Sequence, residues 1–333
     1  MKKKIIKHKS KVTTIFEVLC KEYDFDFVIT GPDQGYFIDH NNIRHEFDYG
    51  TIDLNESKHI QIADDKEQSS VLMKEIGIPI PEEILLRDVR KYTDQDLLKE
   101  IVRFSKRVGF PLICKPLNGR QGNNLIKIES KDEIVNASKM IIDLKDDVII
   151  QEYLKHDEVR VVVLDGEIIQ AYKRFGPSIV GDGKESVFNL IEDKNAYFKN
   201  NGRNTIISID DPQVQMIIAD LGYSNGSIPE KGKDIPLSFG RNLSKGGEYE
   251  FIENKISPKF QKVLREMSLA ANLRLVGFDL FIRKEISLIK DKTDIVFIEY
   301  NGSPDMENNF YYCGDYYERL LAYYRKIFHA MTK

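Results

Sequence analysis

Val276-Gly-Phe-Asp-Leu-Phe-Ile-Arg283 and Asp294-Ile-Val-Phe-Ile-Glu-Tyr-Asn301 frame the charged segment 284–293 and decide how this chain is read. Each arm is apolar and rich in β-branched or aromatic residues, so the pair reads as an antiparallel strand-turn-strand unit. Glu299 and Asn301 stand two residues apart, and side chains at that spacing on a strand share a face. Asp279 on the partner arm can join them. Two carboxylates and an amide oxygen form a hard oxygen set suited to magnesium, which takes one or two protein carboxylates and completes its shell with substrate phosphates. A strand ending in solvated polar residues remains the alternative, because Glu-x-Asn is a short pattern.

The chain has 333 residues, enough for about two domains with sizeable cores. Its composition, 41% hydrophobic and 31% charged, is that of a soluble globular protein, and a net charge of −4 gives no general attraction to nucleic acid or an anionic membrane. Any anion site must therefore be local. Cys20, Cys114 and Cys313 are few, odd in number and widely spaced, as in a reduced compartment rather than a disulfide framework or zinc cluster. No run approaches a membrane span and the lysine-rich start lacks an apolar signal core, so a cytoplasmic protein is expected.

In chain order, residues 1–60 read as a small α/β unit: a helix over 12–22, a strand over 25–29 and a hairpin over 36–47. Asp64 is expected to cap a helix over 65–76 that Gly77 and Pro79 end. A strand over 81–86 and a helix over 94–107 follow. Strands over 112–115 and 125–128 enclose the loop 116–124, whose Gly119 and Gly122 free backbone N-H groups to cradle a phosphate beside Lys115. It lacks the Walker A pattern, and an ordinary hairpin turn is the alternative. After a helix over 131–143, strands over 148–154 and 158–164 lead to Asp165-Gly166, a strong hairpin signal. Arg160 and Arg174 stand on these strands, suited to bidentate carboxylate or phosphate recognition if they face a pocket and to solvation if they do not. A helix over 186–199 precedes 200–257, which reads as irregular and functional or mobile. A helix over 258–272 leads into the opening strand pair, and the apolar periodicity of 316–331 is that of an amphipathic helix with packing tyrosines.

Taken jointly, Asp65-Lys66 with Gly77-Ile-Pro-Ile-Pro81, Lys115 with its glycine loop, Gln151-Glu-Tyr-Leu154 before Glu158, and Asp279 with Glu299-x-Asn301 follow the order of the ATP-grasp superfamily. Within it, Arg174-Phe-Gly-Pro-Ser-Ile-Val-Gly-Asp-Gly183 and Asn242-Leu-Ser-Lys-Gly-Gly247 resemble stretches of the ATP-grasp modules of cyanophycin synthetase and bifunctional glutathione synthetase. The resemblance covers about residues 45–305. It implies an α+β fold of two subdomains clasping ATP: a pre-ATP-grasp unit over 1–62, then an ATP-grasp domain over 63–333, with a lid at about 88–155 and a C-terminal subdomain at about 156–333.

It also implies roles. Lys66 and Lys115 would contact the ATP phosphates beneath the glycine loop with Gly119 and Gly122. Gln151, Tyr153 and Leu154 would line the adenine slot and Glu158 would hold the ribose. Asp279, Glu299 and Asn301 would bind two magnesium ions, with manganese as an alternative. Arg174 and Ser244 match positions that engage a substrate carboxylate, and Arg160 joins them as a substrate candidate. In the D-alanine ligase branch an arginine stands two residues before the first metal carboxylate, where this chain has Gly277. Arg241 is the expected source of that charge.

The implied reaction is carboxylate–amine ligation through an acyl phosphate, which needs cations around the transferred phosphoryl and no protein nucleophile. An amino acid or peptide is the expected substrate, without nucleic acid or membrane partners and with a homo-oligomer left open. The relatives carry a further catalytic domain for which this length leaves no room, so a stand-alone ligase is expected. A phosphotransferase and a non-catalytic nucleotide-binding module are the competing readings.

Overall fold

The computed structural model describes residues 11–48, 51–117, 125–306 and 316–333. The lysine-rich start, the glycine loop with Gly119 and Gly122, and Cys313 lie outside the described residues. The chain forms two compact units, Met1–Ile80 with Val159–Lys173 and Glu250–Lys333, and Pro81–Glu158 with Arg174–Tyr249.

The first unit is built on a five-stranded sheet in the order Glu248–Phe251, Glu167–Phe175, Asp157–Leu164, Leu275–Ile282, Ile295–Asn301. Asp165 and Gly166 both adopt positive φ, 50° and 82°, the backbone that a two-residue hairpin between right-twisted strands requires. On one face, Val276, Phe278 and Leu280 join Phe260, Leu264 and Met267 of the helix Pro258–Ala271 in a closed apolar core. Burying side chains of this size contributes about 1.5–3 kcal/mol each. The other face carries the polar ends of the same strands. A second core joins the helix Lys11–Glu22 and the antiparallel strands Asp26–Gly31, Gln34–Ile38 and Arg44–Asp48 to the last helix, Tyr316–Met331. Its centre is aromatic, with Phe37 and Phe328 stacked at 4.4 Å and Phe16 and Phe47 at 5.1 Å.

The second unit contains a four-stranded antiparallel sheet in the order Glu83–Leu86, Val148–Glu152, Leu112–Pro116, Ile126–Ile128. The helices Asp94–Val108 and Ile134–Asp143 cover one face through Leu97, Ile101, Phe104 and Ile141. Polar side chains of the central strands are thereby confined to the opposite face. The rest of this unit holds the helix Val187–Asn200, capped by Ser186, and the pair Ser178–Val180 with Asp234–Pro236.

Two local readings need correction. Asp64 does not cap the helix at 66; it ends a preceding helix, Ser57–Asp64, and Asp65 is the cap. Residues 200–257 are not uniformly irregular, because Asp211 caps a helix over Pro212–Asp220 with proline at its first turn. No helix among the described residues is long and apolar enough to cross a membrane.

Candidate functional site

In the first unit the opening strand pair delivers the expected residues to one place. Asp279 stands directly opposite Glu299 and Gly277 opposite Asn301, in antiparallel register. The pairing then shifts, with Leu280 opposite Phe297, so that Ile298 is an extra residue in the second strand. This bulge lets Phe297 enter the apolar core while Glu299 and Asn301 face Asp279 on the polar side.

Arg160, from the adjoining strand, lies across this floor. Its Nη1 donates to Asp279 Oδ2 at 2.7 Å, and both side chains are almost fully buried. Turned so that its oxygen faces the guanidinium, the Asn301 amide accepts from Nη1 at 2.9 Å and from Nη2 at 3.3 Å. The guanidinium occupies the space above Gly277, where a Cβ would stand 2.8 Å from Nε and 2.9 Å from Cζ and Nη2. Arg160 of the neighbouring strand thus places a cation in the space above Gly277.

Lys66 completes this cluster. It is the first residue of the helix Lys66–Glu75, and Asp65 anchors that end by accepting from the N-H groups of Glu67 and Gln68, both at 3.0 Å. Lys66 Nζ lies 4.0 Å from Glu299 Oε2. Desolvation and the negative charge of Asp279 raise the Glu299 carboxyl above the usual carboxylate range, against the pull of Lys66 and Arg160. A dication beside this pair would relieve that repulsion, and two carboxylates with an amide oxygen match the donors magnesium prefers. Among the described residues no group of three or more His, Cys, Asp or Glu is placed to hold a metal ion.

In the second unit, Lys115 Nζ donates to Gln151 Oε1 at 3.2 Å, and Gln151 Nε2 donates to Glu83 Oε2 at 2.9 Å. Gln151 pairs across the sheet with Glu83 on one side and Ile113 on the other, so the three polar groups share a face. The Tyr153 N-H is held by the Pro111 carbonyl at 3.1 Å, and Lys127 Nζ stands 4.5 Å from the Tyr153 ring centroid and 5.5 Å from that of Phe239. Leu154 follows in the half-buried run after the strand.

Glu158 and Arg174 are brought together: Arg174 Nη1 donates to Glu158 Oε1 at 3.0 Å. Arg241 Nη1 donates to the His156 carbonyl at 2.7 Å. Ser244 is exposed on a short 3-10 turn, Leu243–Lys245, and its hydroxyl donates to Asn242 Oδ1 at 2.8 Å. The first unit therefore gathers Lys66, Arg160, Asp279, Glu299 and Asn301, while the second holds Lys115 with Gln151, Glu158 with Arg174, and Arg241 and Ser244 near each other in the chain.

Glu83, Lys127 and Phe239 join these groups without having been singled out in the sequence. None carries a local signal, since each acquires its neighbours from a distant segment. The two described cysteines fit no nucleophilic role: both are buried, and burial pushes the Cys20 thiol up to about 12 and that of Cys114 higher still.

Residues 63–183 match the RimK-like ATP-grasp domain. The chain is 26% identical over 250 residues to the cyanophycin synthetase of Nostoc sp., a match covering 74% of this chain and 27% of that protein. It is 26% identical over 302 residues to the glutathione biosynthesis bifunctional protein of Streptococcus agalactiae, covering 88% and 39%. It therefore spans well under half the length of these relatives. In structure it resembles the bifunctional glutathione synthetase of Pasteurella multocida, with a TM-score of 0.57, 17% identity and coverage of 88% of this chain and 40% of that one. Residues 63–183 thus carry the match to the RimK-like ATP-grasp domain, and the chain shares its fold with that bifunctional glutathione synthetase.

Proposed function

We propose that the protein is an ATP-dependent carboxylate–amine ligase acting on an amino acid or peptide. The observation that carries this reading is the polar floor of the first unit, where Lys66, Arg160, Asp279, Glu299 and Asn301 converge. Asp279, Glu299 and Asn301 would hold magnesium, which when bound neutralises phosphate charge and orients the transferred group. Lys66 and Lys115 would bind the ATP phosphates, Gln151, Tyr153 and Leu154 the adenine, and Glu158 the ribose.

The substrate carboxylate oxygen attacks the γ-phosphorus as the bond to the bridging oxygen of ADP breaks, giving an acyl phosphate and ADP. A neutral amine then attacks the acyl carbon; phosphate leaves with the former carboxylate oxygen, and the nitrogen gives up a proton. Charge on the moving phosphoryl is the main electrostatic burden. Arg160 is fixed beside the carboxylates that would carry the metal, so it can meet that charge without reorganising. Arg174 and Ser244 would engage the substrate carboxylate; Arg241, expected from the sequence to meet the phosphoryl charge, stands three residues before Ser244, and with Arg160 held beside Asp279 we assign Arg241 to the substrate side instead. Arg174 would exchange its partner Glu158 for the incoming carboxylate as Glu158 turns to the ribose.

The test incubates purified protein with ATP, magnesium and a panel of amino acids and short peptides, reading ADP release and product mass. ADP release that needs both an acid and an amine, with a product equal to their sum less one water, is the expected result. A product heavier by one phosphate identifies a phosphotransferase instead, and no dependent ADP release overturns the reading. Glu299→Gln is the control and should lose turnover by at least about 100-fold. Because the Glu299 pKa is raised by folding, ionising it opposes folding as pH climbs from its unfolded value through its folded one. The unliganded Glu299→Gln variant is therefore expected to melt at or above the wild-type temperature at pH 8, separating lost chemistry from lost structure.

A further inference from the structure

The loop that bears Arg241 and Ser244 is organised by one buried cation that the sequence did not single out. Arg203 follows the helix Val187–Asn200, is only 7% exposed, and sets its guanidinium 4.4 Å from the centroid of the Phe198 ring. Its Nε donates to Thr205 Oγ1 at 3.2 Å, and its Nη2 donates both to the Leu243 carbonyl and to the Gly247 carbonyl, the latter at 2.8 Å. Those two carbonyls bracket the turn Leu243–Lys245.

Inside the bracket, Lys245 and Gly247 N-H donate to the Asn242 carbonyl, both at 3.1 Å, and Gly246 N-H donates to the Leu243 carbonyl at 3.2 Å. The backbone is crowded. A Cβ on Gly247 would stand 2.8 Å from the carbonyl oxygens of Arg241 and Phe175 and 2.9 Å from that of Asn242. Gly246, at φ 96°, packs against Ile207, whose backbone N-H and carbonyl are both held by Asn195. Carbonyl oxygens gathered at a buried place require donors, and a planar guanidinium can serve two of them in fixed directions.

We propose that Arg203 is the positioning residue for the substrate-binding loop 241–247. It turns the Leu243 and Gly247 carbonyls inward, which leaves Ser244 exposed and fixes where the Arg241 stem begins. Arg203 touches no reacting atom; it acts through the loop. This role rests on the ligase reading in assigning Arg241 and Ser244 to the substrate.

The test compares wild type, Arg203→Met and Arg203→Lys in the full chain by amide hydrogen exchange and by ADP release, titrating separately ATP and an equimolar mixture of the protein amino acids. Arg203→Met should speed exchange of the 245–247 amides by about tenfold or more, while the strand Leu112–Pro116 exchanges as in wild type. Its half-saturating amino-acid concentration should rise about tenfold and that for ATP by less than about twofold. Arg203→Lys keeps the charge but cannot serve both carbonyls in the same geometry, and should fall between. Unchanged loop exchange in Arg203→Met, or an equal rise for ATP and amino acids, overturns the proposal. If Arg203→Met does not fold, Arg203→Lys decides, and wild-type exchange in that variant overturns it. Wild-type protein that releases no ADP with the mixture counts against the ligase reading alone, and the exchange result still decides Arg203.

Discussion

At Gly277 the missing side chain is a packing requirement imposed by Arg160. A methyl group there would stand within 2.9 Å of the guanidinium, which cannot swing aside without giving up Asp279 and Asn301. Both members of the Arg160–Asp279 pair are buried, and separating such a pair leaves a charge that water cannot reach. Gly277→Ala is expected to cost about 1–3 kcal/mol in urea unfolding, the usual penalty for forcing a group into a packed interior. It should also lower ligation by about tenfold or more, because the cation would be displaced from the carboxylates. A variant with wild-type stability and turnover would show that Arg160 is not held as described. Reading along the chain shows only that position 277 lacks an arginine; its neighbour across the sheet, 117 residues earlier, shows why.

At the scale of elements, the helix Lys66–Glu75 places a phosphate-binding candidate by the way it begins. Asp65 sits in extended backbone, φ −93° and ψ 105°, closing the helix Ser57–Asp64 and capping the next one. Two adjacent aspartates made the cap ambiguous in sequence by one residue, and only the backbone turn decides which of them reaches the free N-H groups. Asp65→Ala should destabilise the protein by about 1 kcal/mol in denaturant unfolding and weaken ATP binding, whereas Asp65→Asn, which keeps the accepting oxygen, should lose less than half of that stability. Equal losses in the two variants would deny the capping role. The helix Pro212–Asp220 shows a different limit. Its Asp-Pro start is a good local signal, yet the glycine- and proline-rich run around it reads as loop.

For the molecule as a whole, Asn55 ties the segment after the N-terminal sheet to the end of the functional strands. Its amide nitrogen donates to the carbonyls of Leu275, at 2.6 Å, and Gly302, at 2.8 Å, while its oxygen accepts from the N-H groups of Arg274, at 2.8 Å, and Leu275, at 3.2 Å. All four capacities of one side chain are used across more than 200 residues of sequence separation. Removing them strands partly buried backbone groups, so Asn55→Ala should cost about 2–3 kcal/mol. Hydrogen exchange at the Arg274 and Leu275 amides should accelerate with it. Protection there equal to wild type would mean that the strand ends are held by other contacts.

The sequence by itself determined the strand pair at its two ends, the shared face of Glu299 and Asn301, the Asp165-Gly166 hairpin and most helices, because these follow from periodicities of two and 3.6 residues and from local turn chemistry. Residues 63–183 also carry the match to the RimK-like ATP-grasp domain. Tertiary structure alone decided the bulge at Ile298, which puts Phe297 and Glu299 on opposite faces despite their spacing of two. It alone set Arg160 over Gly277 and Arg203 under the 241–247 loop. A strand's alternation is written in its own residues, but which cation fills a gap on that strand depends on neighbours that only folding brings near.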